Sequence, residues 1–164
     1  MSVMKSWPEP VERVVRHMRE ANIEARVEEF PAGAATASDA SRATGAKLQE
    51  IVKSLVFLCD GRSVLVMVPG DRRADSDKIA RAAGCADVRV ASPAEVAEAT
   101  GFSAGGVAPF PLTNIGLVLL ERTLLAHEMV WIGAGTSRHM AALAPSDLVR
   151  LARARPVDAV AEST

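Results

Sequence analysis

The chain of 164 residues has no tyrosine, and aromatic residues make up only 4% of it. Val, Leu, Ile and Ala must therefore fill most of any core. Charge of one sign is missing too: the formal net charge is −1. Extended duplex binding needs a clear basic excess to neutralise phosphates, so that class is disfavoured, whereas a small basic patch touching the end of an RNA is not. No apolar run approaches the roughly eighteen residues that span a bilayer. The first ten residues, MSVMKSWPEP, lack the long apolar region of a signal peptide, which makes cytoplasmic the default compartment and a membrane role unexpected. There is no HExxH or other metal-ligand spacing, no GxSxG elbow, no P-loop and no complete dinucleotide fingerprint. The two cysteines, Cys59 and Cys85, form no CxxC pair and read as buried thiols in a reducing compartment; a disulfide between them stays open.

Hydrophobic residues are 49% and charged residues 24% of the chain, an ordinary globular composition for a single domain. Ser6 to Glu9 reads as a capping box ahead of a helix that carries Val11, Val14, Val15 and Met18 on one face. Ala25 to Phe30 suits a short strand. Thr36 and Gly45 bracket a second helix. Ile51 to Cys59 and Arg62 to Val68 are apolar runs joined by Asp60-Gly61, a strong hairpin signal. A helix from Asp75 or Ser76 to Gly84 and a brief strand at Val88 to Val90 follow. Ser92-Pro93-Ala94-Glu95 opens another helix, with Ser as N-cap and Glu at its third position. Strands at Ile115 to Leu120, Met129 to Ile132 and Ala141 to Leu143 precede a last helix around Leu148 to Ala154. Residues 1–154 thus form one domain, and 155–164 read as a frayed tail. Strands and helices mix without strict βαβ alternation, which favours α+β around a mixed sheet.

Between helix and strand lies Gly101 to Gly116, GFSAGGVAPFPLTNIG, rich in Gly and Pro. It serves either as a tight connection or as a way of presenting fixed backbone groups to a ligand. In the Ile51 strand, Lys53, Leu55, Phe57 and Cys59 share one face. A lysine at the head of a largely buried strand is either solvated with its stem packed or paired with a ligand. Among the three histidines, His17 reads as exposed, His127 as a loop residue, and His139 as nearer to chemistry but without a visible carboxylate partner. Lys47, Lys53, Arg62, Arg72, Arg73, Lys78 and Arg81 form either a solvated surface or a phosphate-binding rim.

Several pieces recur together: the Ile51-Val52-Lys53-Ser54-Leu55-Val56-Phe57 strand, Val68 to Arg73, Ala91 to Val96, Thr100 to Phe102, Gly105 to Phe110, and Gly133-Ala134-Gly135. In this order, over roughly residues 25 to 152, they resemble the YbaK/ProX family of free-standing aminoacyl-tRNA editing domains, related to the insertion domain of bacterial prolyl-tRNA synthetases. The resemblance implies an α+β domain with a mixed, partly barrel-like β-sheet surrounded by helices. It implies hydrolysis of the ester joining a wrong, small amino acid (Ala, Cys or Ser class) to tRNA, with tRNA(Pro) the expected carrier and no cofactor or metal. By position, Lys53 matches the family's strand lysine, expected to hold the 3′-terminal nucleotide. Gly105, Gly106, Val107 and Pro109 match its GxxxP loop, Gly133 and Gly135 its second glycine segment, and Ser54 the residue that follows the lysine. Partners implied are the acceptor end of a mischarged tRNA and prolyl-tRNA synthetase, with the oligomeric state open. Ser54 and Val27 depart from the cysteine-editing pattern, which has Thr and Tyr there. Ser54 and Gly133 depart from the alanine-editing pattern, which has Asn and His. Pro109 to Asn114 looks closer to the alanine branch, so the amino acid stays open. The alternative is a catalytically inactive tRNA- or synthetase-binding module of the same fold.

Overall fold

The computed structural model of the protein describes residues 6–162. Residues 1–5, on which the reading of the N-terminus partly rests, and 163–164 of the expected tail lie outside them. None of the described helices is long and apolar enough to cross a membrane.

Among the described residues, eight strands divide between two sheets. The hairpin of β2 (Val52–Cys59) and β3 (Arg62–Pro69) forms the centre of the larger sheet. Its turn places Asp60 at φ 49° and Gly61 at φ 83°, the two positive values that a two-residue hairpin loop requires. β4 (Val88–Val90) pairs antiparallel with β2, while β5 (Leu117–Glu121) lies parallel to β3 and β8 (Arg155–Val157) parallel to β5. The smaller sheet is antiparallel in the order β1 (Arg26–Glu29), β7 (His139–Leu143), β6 (Val130–Gly133). An isolated bridge, Ile51 to Trp131, joins the sheets at the head of β2. The mixed-sheet α+β reading therefore holds, with the strands split in two.

Alternation along the hairpin explains its nearly continuous apolar sequence, because both faces are covered. Val52, Val56, Leu65 and Met67 enter a core shared with Ile132, Ala141 and Leu143 of the smaller sheet and with Phe102 and Phe110. Phe57, Val64, Val66 and Val68 face the other way, onto Ile79 and Leu119. Helices α2 (Ala37–Thr44), α3 (Ser76–Ala83), α4 (Pro93–Thr100) and α5 (Pro145–Ala152) cover the sheets. Thr36 caps α2, Asp75 caps α3, and Ser92 with Glu95 forms a complete capping box on α4. An Arg89 guanidinium beside Glu95 holds that carboxyl down to about 2.

Three expectations are corrected. The Ser6 capping box does not form: α1 (Glu9–Glu20) starts after Pro8, which makes no side-chain cap, and Glu9 pairs with Arg13 at 3.0 Å instead. Trp7 precedes a proline, which disfavours the helical conformation the box would need there. The cysteines are joined as a Cys59–Cys85 disulfide across a Cα separation of 5.8 Å. Non-local pairing puts them together, since Cys59 lies opposite Val88 and the Asp60 carboxylate accepts the amides of Ala86 and Asp87. Residues 155–161 are not frayed, because they extend the larger sheet, with Ala159 and Val160 buried. A three-residue strand containing Pro156 has too little periodicity to be read from sequence, and proline is tolerated on such an edge strand.

Candidate active site

β2 leaves the bridge at Ile51 with Lys53 and Ser54 near its start, and the first turn of α2 lies over the neighbouring exit of β3. That approach is close: a Cβ on Gly70, at the exit of β3, would lie 2.7 Å from the Leu48 carbonyl oxygen and 3.0 Å from Ala37 Cβ. Opposite β2, the short 3-10 turn at 104–106 packs directly on the β6–β7 turn. A Cβ on Gly106 would sit 2.6 Å from Thr136 Cα, and one on Gly133 would run into the Val107 carbonyl oxygen. The two glycine segments are thus in backbone-to-backbone contact. The β6–β7 turn is braced by the Ala134 amide donating to the His139 carbonyl at 3.0 Å, and by a hydrogen bond shared between Thr136 Oγ1 and His139 Nδ1 at 2.5 Å.

These elements enclose a cleft of about 340 Å³. Ala34 to Ala37 and Ala40 form one wall, Ile51 to Leu55 another, and Ala104 to Val107 with Gly133 and Met140 the rest. Among the described residues, Asp, Glu, His and Cys are all missing from this lining, and Lys53 is its ionisable residue. Lys53 Nζ donates to the Arg72 carbonyl oxygen at 2.8 Å. Burial pushes the ammonium below the ordinary lysine range, the nearby Asp71 carboxylate opposes that, and the Arg73 guanidinium adds to it. An ammonium has three protons, so one is engaged by Arg72 and two remain for a ligand. Ser54 Oγ is buried without a hydrogen-bond partner among the described residues. A buried hydroxyl left this way costs free energy, which a bound polar group would recover.

Of the expected site residues, Lys53, Ser54, Gly105, Gly106, Val107 and Gly133 meet here, and Pro109 and Gly135 do not. Pro109 lines a separate cavity of about 410 Å³ with His17, Phe110 and Leu151. Gly135, at φ +112°, faces α1: a Cβ there would stand 2.8 Å from the Pro10 carbonyl. Gly135→Val is accordingly expected to lower stability by about 2 kcal/mol or more, read as an earlier urea midpoint, through positive φ and overpacking. Val27 is not in the cleft either; it lines a cavity beside Val15 and Met18, so it carries no information on the amino acid accepted here.

Two of the three histidines are placed differently from expectation. His17 is half-buried, its Nε2 lying 3.1 Å from the Leu151 carbonyl and its ring stacked on Phe110. His139 does have a carboxylate neighbour, Glu29 Oε2 at 3.7 Å, brought opposite it by β1–β7 pairing. His127 ends a 3-10 turn, as a loop residue. The basic residues do not act as one rim: Arg62 sits at the far end of the hairpin, and Arg72 and Lys78 hold the C-terminal segment. What sequence reasoning missed is the alanine wall of α2, Met140, and the carbonyl that receives Lys53. Thr36 signalled the helix start, yet nothing local signals which strand that start covers.

A model of the aminoacyl-tRNA editing domain matches residues 31–151. The uncharacterised protein YwhH of Bacillus subtilis is 35% identical over 133 residues, which cover 80% of this chain and 84% of that protein. The proline–tRNA ligase of Xanthomonas axonopodis pv. citri is 31% identical over 102 residues, covering 62% of this chain but only 18% of the ligase. The solved structure of a candidate trans-editing enzyme for prolyl-tRNA synthetase superposes with a TM-score of 0.88 at 34% identity, covering 96% of this chain and 100% of that one.

Proposed function

The chain belongs to the aminoacyl-tRNA editing domain family, and from that premise we propose that it is a deacylase. Its substrate is the ester of a small mischarged amino acid, of the Ala, Cys or Ser class, on tRNA, with tRNA(Pro) the carrier. The observation that carries the reading is the cleft itself. Adjacent on β2, Lys53 and the unpartnered Ser54 turn to opposite faces of the strand yet both line the cleft together with the two glycine segments, and among the described residues that lining offers no carboxylate, imidazole or thiol.

An aminoacyl ester suits such a site because it is already activated. Water attacks the ester carbonyl, the tetrahedral oxyanion collapses, and the ribose 3′-oxygen leaves and takes up a proton. Free amino acid and uncharged tRNA result. The vicinal ribose hydroxyl orients the water and relays its proton, so the protein mainly positions the ester and stabilises the oxyanion. Lys53 supplies positive charge to the terminal nucleotide. In the 104–107 turn the Gly106 amide is already given to the Ser103 carbonyl at 2.9 Å, so the oxyanion would draw on the other backbone amides of that turn. The walls of Ala34, Ala37, Ala40 and Gly133 limit the side chain by size, a sieve that excludes bulk better than it separates one methyl group from none.

The test is a panel of Ala-, Cys- and Ser-tRNA(Pro), with correctly charged Pro-tRNA(Pro) as control. Clearance of one or more small misacylated members and sparing of Pro-tRNA(Pro) is the expected result. Binding of every member with clearance of none contradicts it and favours an inactive binding module. Ser54→Ala sharpens the assignment. Removing an unpartnered buried hydroxyl is expected to leave the urea midpoint unchanged or raised. It is also expected to lower kcat/KM by about tenfold if that hydroxyl bonds the substrate.

A further inference from the structure

The carbonyl that receives Lys53 belongs to a loop, and loops drift unless something fixes them. Here the fixture is the C-terminal segment, which follows the region matched by the family. The Arg72 guanidinium donates to the Ala161 carbonyl, and the Ala161 amide donates to the Arg73 carbonyl at 2.8 Å. Ala74 bridges Val160, and the Asp75 amide donates to the Ala159 carbonyl at 2.9 Å. Lys78 Nζ adds bonds to the Val160 carbonyl at 2.8 Å and to Asp158 at 3.1 Å. The strap is itself anchored: buried Glu121 accepts the Ala159 amide at 2.9 Å with one carboxylate oxygen and the Thr123 amide at 2.8 Å with the other. Arg72, Arg73, Ala74 and Asp75 are therefore each tied to this segment.

We propose that residues 158–161, with Arg72, form a positioning strap that fixes the Arg72 carbonyl and so holds the Lys53 ammonium at the cleft. The bond to a neutral carbonyl orients the ammonium without neutralising it, leaving its charge for an anionic ligand. A displacement of about 1 Å at such a group is enough to cost one to two orders of magnitude in rate. The catalytic consequence rests on the deacylase reading above, whereas the restraint on Lys53 does not.

Two full-length variants test it. Ala161→Pro removes the amide that bonds Arg73 and changes no charge, leaving Asp71 and Arg73 in place around Lys53. Arg72→Met keeps the carbonyl and removes the guanidinium grip on Ala161. Titration of Lys53, followed by NMR of ¹³C-labelled lysine ε-carbons, is expected to move toward ordinary lysine behaviour in Ala161→Pro. For Arg72→Met, kcat/KM is expected to fall about tenfold, and to fall no further than Lys53→Ala alone when the two are combined. An unmoved Lys53 titration in a folded Ala161→Pro overturns the strap. So does an Arg72→Met loss that multiplies with that of Lys53→Ala, which is also the deciding result if Ala161→Pro does not fold. A parent that clears no ester while the titration moves as expected retires the deacylase reading and leaves the strap standing.

Discussion

Under the proposed deacylase reading, a Lys53→Ala variant is expected to clear misacylated tRNA about 100-fold more slowly than the parent, as kcat/KM, or worse, while unfolding at nearly the same urea concentration. The size follows from removing a preorganised positive donor in a partly desolvated site, where such groups are worth about two to three orders of magnitude. The small stability change follows from what Lys53 touches. It loses one bond to the Arg72 carbonyl, worth about 1 kcal/mol net, and relieves the cost of keeping a charge half-buried. Single-turnover rates and a urea titration on the same preparation separate the two effects. Near-parental turnover by the variant removes Lys53 from the mechanism.

Gly133→Ala is the second large effect, with Gly105→Ala as its internal control. At Gly133 the added methyl meets the Val107 carbonyl oxygen, which belongs to a backbone already pressed on Thr136 through Gly106. Backbone on both sides leaves no flexible side chain to yield, so the 104–107 turn must move away from the β6–β7 turn. Overpacking of this kind costs about 1 to 3 kcal/mol, and it reshapes the cleft directly. A loss of about 100-fold in kcat/KM is expected alongside the stability loss. At Gly105 the nearest atom to an added Cβ, that of Ser137, is 3.9 Å away, so Gly105→Ala should unfold like the parent. A Gly133→Ala variant as stable as Gly105→Ala would mean that the two turns are not in contact in solution.

Legibility in the sequence followed range. Asp60-Gly61 announces its hairpin because two adjacent residues carry the whole turn requirement. Ser92 to Glu95 announces its helix because the cap closes within four residues. Lys53 and both glycine segments were found through their joint order along the chain, and the cleft unites most of them. Signals that depend on distant partners were lost. Nothing near Cys59 names Cys85, nothing near Pro156 names β5, and Gly135 looks identical to Gly133 until α1 is seen lying against it. Ser6 misled because a local motif matched while Pro8 forbade it. The Arg72 carbonyl was invisible in principle, since any residue could supply it.

Single-turnover release of the amino acid from two matched substrates tests the account most directly. Both are a small misacylated tRNA(Pro), cleared in the panel, and they differ only in whether the terminal adenosine carries its vicinal 2′-hydroxyl. With no carboxylate, imidazole or thiol in the cleft lining among the described residues, the account predicts hydrolysis well above the protein-free rate for the complete substrate. It predicts loss of about 100-fold or more when the hydroxyl is removed. Equal rates for the two substrates, or no acceleration over the protein-free rate for either, would contradict it.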